Sequence, residues 1–252
     1  MRALVVVPTY NEAKSIVDLL NRTLHIDPRV EVLVVDDGSP DGTAQLVKTT
    51  MAEHRCLHLL ERTEKQGLGM AYRAGFDWGL ARGYDVLVEM DADLSHPPER
   101  IPALLDGLGN ADVVIGSRYV PGGKTVNWSW SRAALSRAGN GYVRLALGLP
   151  VHDVTAGFRA YRRAVLRSLA METIQSNGYC FQVEMAHRAW QEGFRITETP
   201  ITFTDRVAGE SKMQGQIVVE ALARVTRWAV TGGRRRTRAQ HPASVIGRFI
   251  AE

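Results

Sequence analysis

The sequence predicts an α/β protein built on a mostly parallel sheet with helices on both faces. Three observations carry this. The apolar runs ALVVVP, VEVLVVDD, DVLVEMD and ADVVIGSR are continuous rather than alternating, as strands buried on both faces require. Amphipathic segments of helical period separate them. This alternation repeats without a break through residue 119.

In order, ALVVVP is the first strand, and NEAKSIVDLLNRTL the first helix, with Asn11 as its expected N-cap and Ile16, Leu19, Leu20 and Leu24 on one face. VEVLVVDD is the second strand, and the turn GSPDGT leads into the helix AQLVKTTMAEH. CLHLLE, GLGMAYRAGFDWGLARG, DVLVEMD, PERIPALLDGL and ADVVIGSR continue the series as strand, helix, strand, helix and strand. After Tyr119 the rhythm changes. VPGGKTVNWSWSR reads as a glycine-rich aromatic loop, and AALSRAGNGYVRLALG, GFRAYRRAVLRSL and YCFQVEMAHRAWQEG as helical or helix-containing. FRITETPITFT alternates like a strand, and GQIVVEALARVTRWAV is a strongly amphipathic helix. The expected organisation is one domain over residues 1–230, in two halves (1–119 and 120–230), followed by a basic tail over 231–252.

Bulk properties narrow the class. The 252 residues are 45% hydrophobic and 23% charged, enough for a substantial core. The formal net charge of +4 suits an anionic ligand, nucleic acid or an acidic membrane surface without choosing among them. The two cysteines, Cys56 and Cys180, suggest neither a disulfide framework nor a cysteine metal site, and read as reduced thiols of a cytosolic protein. No secretory leader is recognised, and no stretch approaches the roughly 18 apolar residues needed to span a bilayer. A soluble or peripheral protein is expected.

The polar residues share one location. Pro8, Thr9, Tyr10, Asn11 and Glu12 end the first strand, Asp36 and Asp37 the second, Asp91 and Asp93 the fourth, and Gly116, Ser117 and Arg118 the fifth. Open α/β sheets bind ligands along that carboxyl edge. The turn after the first strand, PTYNE, lacks the glycines of a dinucleotide site, and no Walker A motif occurs. The glycine pair at Gly67 and Gly69 either lets backbone approach a phosphate or simply opens a helix. Asp91 and Asp93, one residue apart at a strand end, suit a hard divalent cation shared with phosphate oxygens. The competing reading makes Asp93 or Ser95 the N-cap of the helix near Pro98. Asp37 is read as a ligand-facing acceptor for base or ribose, and Asp41 as turn chemistry. Most arginines, including Arg162, Arg163 and Arg167, are read as solvated.

Taken together, VVVPTYNE, VVDDGSPDGT, EKQGLGMAYRAGF, MDADLSHPPE and VIGSRYVPGG resemble, in order and spacing, the successive blocks of the family 2 glycosyltransferases. DVTAGFRAYRR and NGYCFQVEM narrow the resemblance to the branch acting on polyprenyl phosphates, the polyprenol- or dolichol-phosphate mannose synthases. The resemblance implies a GT-A, Rossmann-like fold, a GDP-mannose donor, a membrane polyprenyl or dolichyl phosphate acceptor, and Mg²⁺ or Mn²⁺. It implies that residues 1–119 hold the nucleotide sugar and 120–230 face acceptor and membrane. Pro8, Tyr10, Glu12, Val35 and Asp37 are expected at the nucleoside. Met90, Asp91, Ala92 and Asp93 are expected at the diphosphate, with Asp91, Asp93 and Ser95 as metal ligands. Asp91, Asp93 and Arg118 would be catalytic. Arg118 would contact donor or acceptor phosphate, Arg132 the acceptor phosphate, and Arg206 and Lys212 would close over the diphosphate.

The chemistry implied needs no strong base. A phosphate monoester is already largely anionic at neutral pH, its second pKa lying near ~6. Cations that join two anions and stabilise the departing diphosphate are what such a site requires. Single displacement would turn an α-linked donor into a β-linked product. The lipid acceptor places the chain at the cytoplasmic face of a membrane as a peripheral protein. VNWSWSRAALSRAGNGYVRLALGL and IVVEALARVTRWAV, with the arginines at 234–236 and 238, are the candidate contacts, alone or with a membrane-anchoring partner protein. The rival readings are a polyprenyl-phosphate glucosyltransferase using UDP-glucose, a nucleotidyltransferase, and a nucleic-acid binder. No nucleic acid is expected, because acids on the binding edge repel phosphates.

Overall fold

The computed structural model describes residues 1–174, 176, 178–205 and 215–231. Its strands are β1 (Ala3–Thr9), β2 (Val30–Asp36), β3 (Leu57–Glu61), β4 (Val86–Glu89), β5 (Val113–Ser117), β6 (Lys124–Val126), β7 (Arg159–Arg162), β8 (Ile196–Pro200) and β9 (Thr202–Thr204). Its helices are α1 (Ile16–Thr23), α2 (Thr43–Met51), α3 (Leu68–Ala81), α4 (Ile101–Gly107), α5 (Trp130–Leu147), α6 (Arg163–Ser168), α7 (Tyr179–Gln191) and α8 (Gly215–Thr231). Seven strands form the main sheet in the order β3-β2-β1-β4-β7-β5-β8, and β6 pairs with β9 in a small parallel ribbon. Every pairing in the main sheet is parallel except those of β7, which runs antiparallel to β4 and β5.

Alternation along each strand splits the core in two. Ala3, Val5, Val7, Val32 and Val34 face α1, α2 and α4, burying Ile16, Leu19, Leu20, Val47, Ile101 and Leu104. Leu4, Val6, Leu33 and Val35 face the other layer, where Tyr72 and Phe76 of α3 and Phe181 and Met185 of α7 are buried. Helix α3 lies close to the sheet because it carries glycine where it crosses. A Cβ on Gly75 would stand 2.3 Å from a Val6 methyl, and one on Gly79 2.7 Å from a Leu87 methyl.

Several expectations require correction. Asn11 is not the cap of α1: it sits at φ +63°, and Ser15 occupies the cap position. Residues 159–162, read as part of a helical or helix-containing segment, are the interior strand β7. Its Arg-Ala-Tyr-Arg sequence has strand alternation, but two arginines in a buried strand hid it. Arg159 is fully buried, and its guanidinium is satisfied by the carbonyls of Ala156, Val154 and Gln182. Arg162 and Arg163 are half-buried and bonded to the protein rather than free in solvent. Arg162 binds the carbonyls of Ala111 and Leu108, and Arg163 those of Tyr84 and Gly83 together with Asp85. The glycine-rich loop after Tyr119 contains β6, and FRITETPITFT divides into two strands of different sheets around buried Ile201. The basic tail from residue 232 onward, with its arginines at 234–236 and 238, lies outside the described residues.

Candidate active site

A cleft of 380 Å³ opens at the carboxyl edge of the parallel strands, within the usual range for small-molecule sites. It is lined by the ends of β1 (Pro8, Thr9, Tyr10, Glu12) and β2 (Asp37), by Lys65, Gly67, Leu68 and Ala71 around the start of α3, and by Asp91, Ala92 and Asp93 beyond β4. Thr155 and Gly157 before β7, Gly178 and Gln182 complete it. Because β7 runs the other way, its beginning, rather than its end, reaches this edge.

The two acids that end β2 divide their work. Asp36 is spent locally: it accepts from the Thr9 hydroxyl at 2.8 Å and from the Ser39 amide and hydroxyl at 2.8 and 2.6 Å. Asp37 turns into the cleft, 5% exposed, with Arg62 3.0 Å away. Burial pushes its carboxyl above the usual range, against the pull of Arg62. Asp41 serves the turn, accepting from Thr43 and from the Ala13 amide. Tyr10 carries the Lys65 ammonium 3.9 Å above its ring, so a cation and a flat aromatic surface flank the β1 end of the cleft.

The β4 end is held by strained backbone and by neighbours. Leu94 adopts φ +63°, unusual for a leucine, and the Ser95 amide beside it donates to Asp93 Oδ1 at 3.0 Å. No side chain caps the short helical turn at Pro98, so the capping reading of Asp93 and Ser95 fails there. The Tyr72 hydroxyl donates to Asp91 Oδ1 at 3.0 Å, delivered by the close approach of α3. Burial and then the neighbouring Asp91 hold that hydroxyl well above its ordinary pKa, so it remains a donor. His96 Nδ1 accepts from the Asp91 amide at 3.1 Å, which withdraws that nitrogen from metal binding.

A hard divalent cation fits these residues. The donors are oxygens, two carboxylates one residue apart in the cleft. The Ser95 hydroxyl is buried and completes no hydrogen bond. Gly157 leaves open the space against the Asp91 carboxylate: a Cβ there would come within 3.6 Å of Asp91 Oδ2. Among the described residues no group of three or more His, Cys, Asp or Glu is placed to hold a metal, so a cation here would draw further oxygens from its ligand.

Beneath the cleft, Glu89 is fully buried beside Arg159, its cross-strand neighbour in β7. Burial pushes its carboxyl up to about 8 despite Arg159. The Gln182 amide lies near enough to act on that carboxyl, yet neither Glu89 oxygen nor either amide atom of Gln182 completes a hydrogen bond.

The expected arginines stand elsewhere. Arg118 does not line the cleft. It is 6% exposed and grips fully buried Asp153 through Nε at 2.7 Å and a second bond from Nη2, with its backbone amide at 2.9 Å to the same carboxylate. It meets the cleft through Thr155, whose hydroxyl accepts from Nη2 at 3.0 Å. Arg132 binds Asp205 at 2.6 Å and lies 4.2 Å over the Trp128 ring. Val35 and Met90 face the core rather than the cleft. Arg206 and Lys212 lie outside the described residues. Tyr72, Lys65, Thr155, Gly157 and Gln182 were missed. The motifs EKQGLG and NGYCFQVEM were signals for Lys65 and Gln182, but only the fold shows which of their residues face inward.

On the outside, α5 and α8 pack together, with Tyr142 bonded to Thr226 at 2.6 Å. They present Trp130, Leu145 and Val230 at 83%, 85% and 80% exposure. Arg144 of α5 and Arg227 of α8 are exposed on the same pair of helices. No helix among the described residues is long and apolar enough to cross a membrane.

Comparison with known proteins accords with this geometry. Residues 4–170 match the family model for glycosyl transferase family 2. Polyprenol monophosphomannose synthase of Mycolicibacterium smegmatis is 52% identical over 233 residues, covering 92% of this chain and 88% of the relative. Undecaprenyl-phosphate mannosyltransferase of Micrococcus luteus is 56% identical over 230 residues, covering 91% and 95%. Among solved structures, glucosyl-3-phosphoglycerate synthase of Mycobacterium tuberculosis, bound to Mn²⁺, UDP and glucosyl-3-phosphoglycerate, superposes with a TM-score of 0.62 at 19% identity, over 93% of this chain and 80% of that one. At that identity it speaks to the fold alone.

Proposed function

The chain belongs to glycosyl transferase family 2, and from that premise we propose that it transfers mannose from GDP-mannose to a membrane polyprenyl phosphate with inversion, releasing GDP. The observation that carries this is the paired carboxylates Asp91 and Asp93, set between an aromatic and acidic nucleoside end and a second wall from β7 and α7, in a chain 52% and 56% identical to a polyprenol monophosphomannose synthase and an undecaprenyl-phosphate mannosyltransferase.

In this reading Tyr10, Glu12 and Asp37 receive the guanosine and Lys65 adds positive charge toward the diphosphate. Asp91 and Asp93, with Ser95 as a further oxygen, would hold Mg²⁺ or Mn²⁺, which would supply positive charge for the departing diphosphate. Tyr72 and the His96–Asp91 contact fix the orientation of Asp91. The acceptor phosphate is its own nucleophile, and no cleft residue needs to remove a proton from it. Arg132, partly exposed and in a surface ion pair, takes the acceptor phosphate in exchange for Asp205. Arg118, buried against Asp153, positions Thr155 rather than touching phosphate. Arg206 and Lys212, outside the described residues, are assigned in this reading to the diphosphate.

The exposed apolar face of α5 and α8, flanked by arginines, docks on an anionic bilayer, placing the enzyme at the cytoplasmic face where nucleotide sugars are available. Co-sedimentation with anionic vesicles checks this. Binding lost in Trp130→Ser supports direct docking, and no binding by the purified chain points to an anchoring partner protein instead.

The central test incubates the purified chain with a polyprenyl phosphate and GDP-mannose or UDP-glucose, with Mg²⁺, with Mn²⁺ and with EDTA. The expected result is a β-linked mannosyl lipid from GDP-mannose, lost on chelation. Turnover of UDP-glucose in preference, or an α-linked product, overturns the reading.

A further inference from the structure

Thr155 is held by more partners than a wall residue needs. It is half-buried and lines the cleft two residues before Gly157. Its hydroxyl accepts from Arg118 Nη2 at 3.0 Å and from Asn140 Nδ2 at 3.1 Å. Both directions are fixed. A guanidinium can only donate. The Asn140 amide is oriented by the Thr155 backbone N–H, which donates to Asn140 Oδ1 at 3.2 Å and so turns Nδ2 toward the hydroxyl. Arg118 and Asn140 are 6% and 2% exposed, so solvent does not compete for these bonds.

A hydroxyl has two lone pairs and one proton. With both lone pairs taken, Thr155 can serve the cleft only as a donor. Among the described residues its proton reaches Asp153 Oδ1 alone, at 3.5 Å, the outer limit of a hydrogen bond. That oxygen already accepts from Arg118 Nη2. A nearer oxygen in the cleft would take the proton. Hydrogen bonds in a chain strengthen one another, and this chain begins at a cation, so the hydroxyl suits an anionic acceptor.

Position says which anion. The sheet order sets β7, which Thr155 precedes, between β4 and β5. On the β4 side, Gly157 stands against the Asp91 carboxylate. On the other side is α5, whose Asn140 grips Thr155 and whose Arg132, eight residues earlier, lies on the same helix face. A nucleoside over β2 and β1 and a diphosphate at Asp91 and Asp93 fill the near side. Thr155 therefore stands between the donor and the helix that carries Arg132 and the exposed apolar face.

We infer that the Thr155 hydroxyl donates a hydrogen bond to the phosphate of the polyprenyl acceptor, orienting it for attack, and that Arg118 is the positioning residue that fixes the hydroxyl in that role. This rests on the acceptor reading above, but the two fail differently.

The test compares the wild type with Thr155→Val, which keeps the shape and removes the hydroxyl, and Thr155→Ser, which keeps the hydroxyl. Thr155→Val leaves two buried N–H groups without an acceptor, so Thr155→Ala, whose vacated space admits a water to meet them, stands beside it should Thr155→Val not fold. Calorimetry gives the affinity for GDP with Mn²⁺ and, on that complex, for farnesyl phosphate as a short isoprenyl phosphate. Steady-state kinetics give kcat/KM for a polyprenyl phosphate. In Thr155→Val and Thr155→Ala we expect farnesyl phosphate affinity and kcat/KM to fall by on the order of 10–100-fold, the scale of a hydrogen bond to a charged group, with GDP affinity unchanged. Thr155→Ser should restore both. Unchanged acceptor affinity in the variants without the hydroxyl, an equal loss of GDP affinity, or a Thr155→Ser variant as impaired as Thr155→Val overturns the inference. A wild type that binds farnesyl phosphate but takes its sugar from UDP-glucose defeats the proposed donor and leaves the acceptor comparison to decide the role of Thr155. A wild type that binds no isoprenyl phosphate overturns both.

Discussion

The two edges of the main sheet treat most of their acids differently. At the amino edge each one is met. Glu31 near the start of β2 accepts from Arg2 at 2.8 Å and Tyr84 at 2.7 Å and pairs with His58 at 2.9 Å. Asp85 binds the Arg2 amide and Arg163, and Asp112 the Arg195 amide. At the carboxyl edge Asp36 is met in the same way, but Glu89 completes no side-chain hydrogen bond, and Asp91 and Asp93, each holding a donor, open into the cleft. Burial works against charge at both ends, yet donors hold the Glu31 carboxyl down to about 2 while Glu89 is lifted to about 8. One edge is finished by folding. The other is left for a ligand to finish.

The largest effect should come from the unfinished edge. Asp91→Asn and Asp93→Asn are each expected to cut transfer by at least ~10²–10³-fold and to abolish Mn²⁺ binding by calorimetry, with little loss in unfolding temperature. A large loss of stability instead would make these acids structural and erase the contrast. Next is Asp153→Ala, which strands the buried Arg118 guanidinium. Loss of a partner from such a pair costs about 3–5 kcal/mol, read as a lower denaturant midpoint, with activity falling only in step with the folded fraction and with the loosening of Thr155. A smaller effect belongs to the finished edge. Since Glu31 titrates near 2 when folded and near its ordinary 4.5 when unfolded, its contribution is fully present above pH ~4.5 and disappears as pH falls toward ~2. Glu31→Gln should lower stability at pH 7 by about 2 kcal/mol, the scale of hydrogen bonds to a charged group, and flatten the acid limb of the stability curve. The smallest effect is that of Asp205→Asn. Its pair with Arg132 is partly exposed, so stability should move by under ~1 kcal/mol, while KM for the polyprenyl phosphate falls as Arg132 is released. An unchanged KM would remove Arg132 from the acceptor site.

The legible part of this molecule was its first half. Continuous apolar strands and helices of clear period announce a parallel sheet, and acids at strand ends announce its working edge, so Asp37, Asp91 and Asp93 could be placed from residue type and position alone. Arg118 was only partly legible. Its motif put it at the correct edge, but its hold on Asp153, 35 residues later, which leaves it outside the cleft lining with Thr155 between, has no local signal. Strand β7 was hidden for a similar reason: Arg159 looks solvated until the carbonyls that satisfy it are brought in from Val154, Ala156 and Gln182. Long-range pairing of charge leaves no local trace, and the same holds for the inward face of α7 that carries Gln182.

Strand β7 also dictates how the protein is made. It fills the gap between β4 and β5, so those strands share no hydrogen bonds until residues 159–162 exist. A nascent chain that has emerged only through residue 119 has β4 as an open edge and β5 with neither of its neighbours. Exposed apolar strand edges are templates for association with other chains, and pairings this distant in sequence form slowly. The interval between emergence of β4 and of β7 is therefore when this chain is most exposed to aggregation, and an amino-terminal fragment ending near residue 119 should fail to fold as a unit even though it carries most of the donor-facing residues.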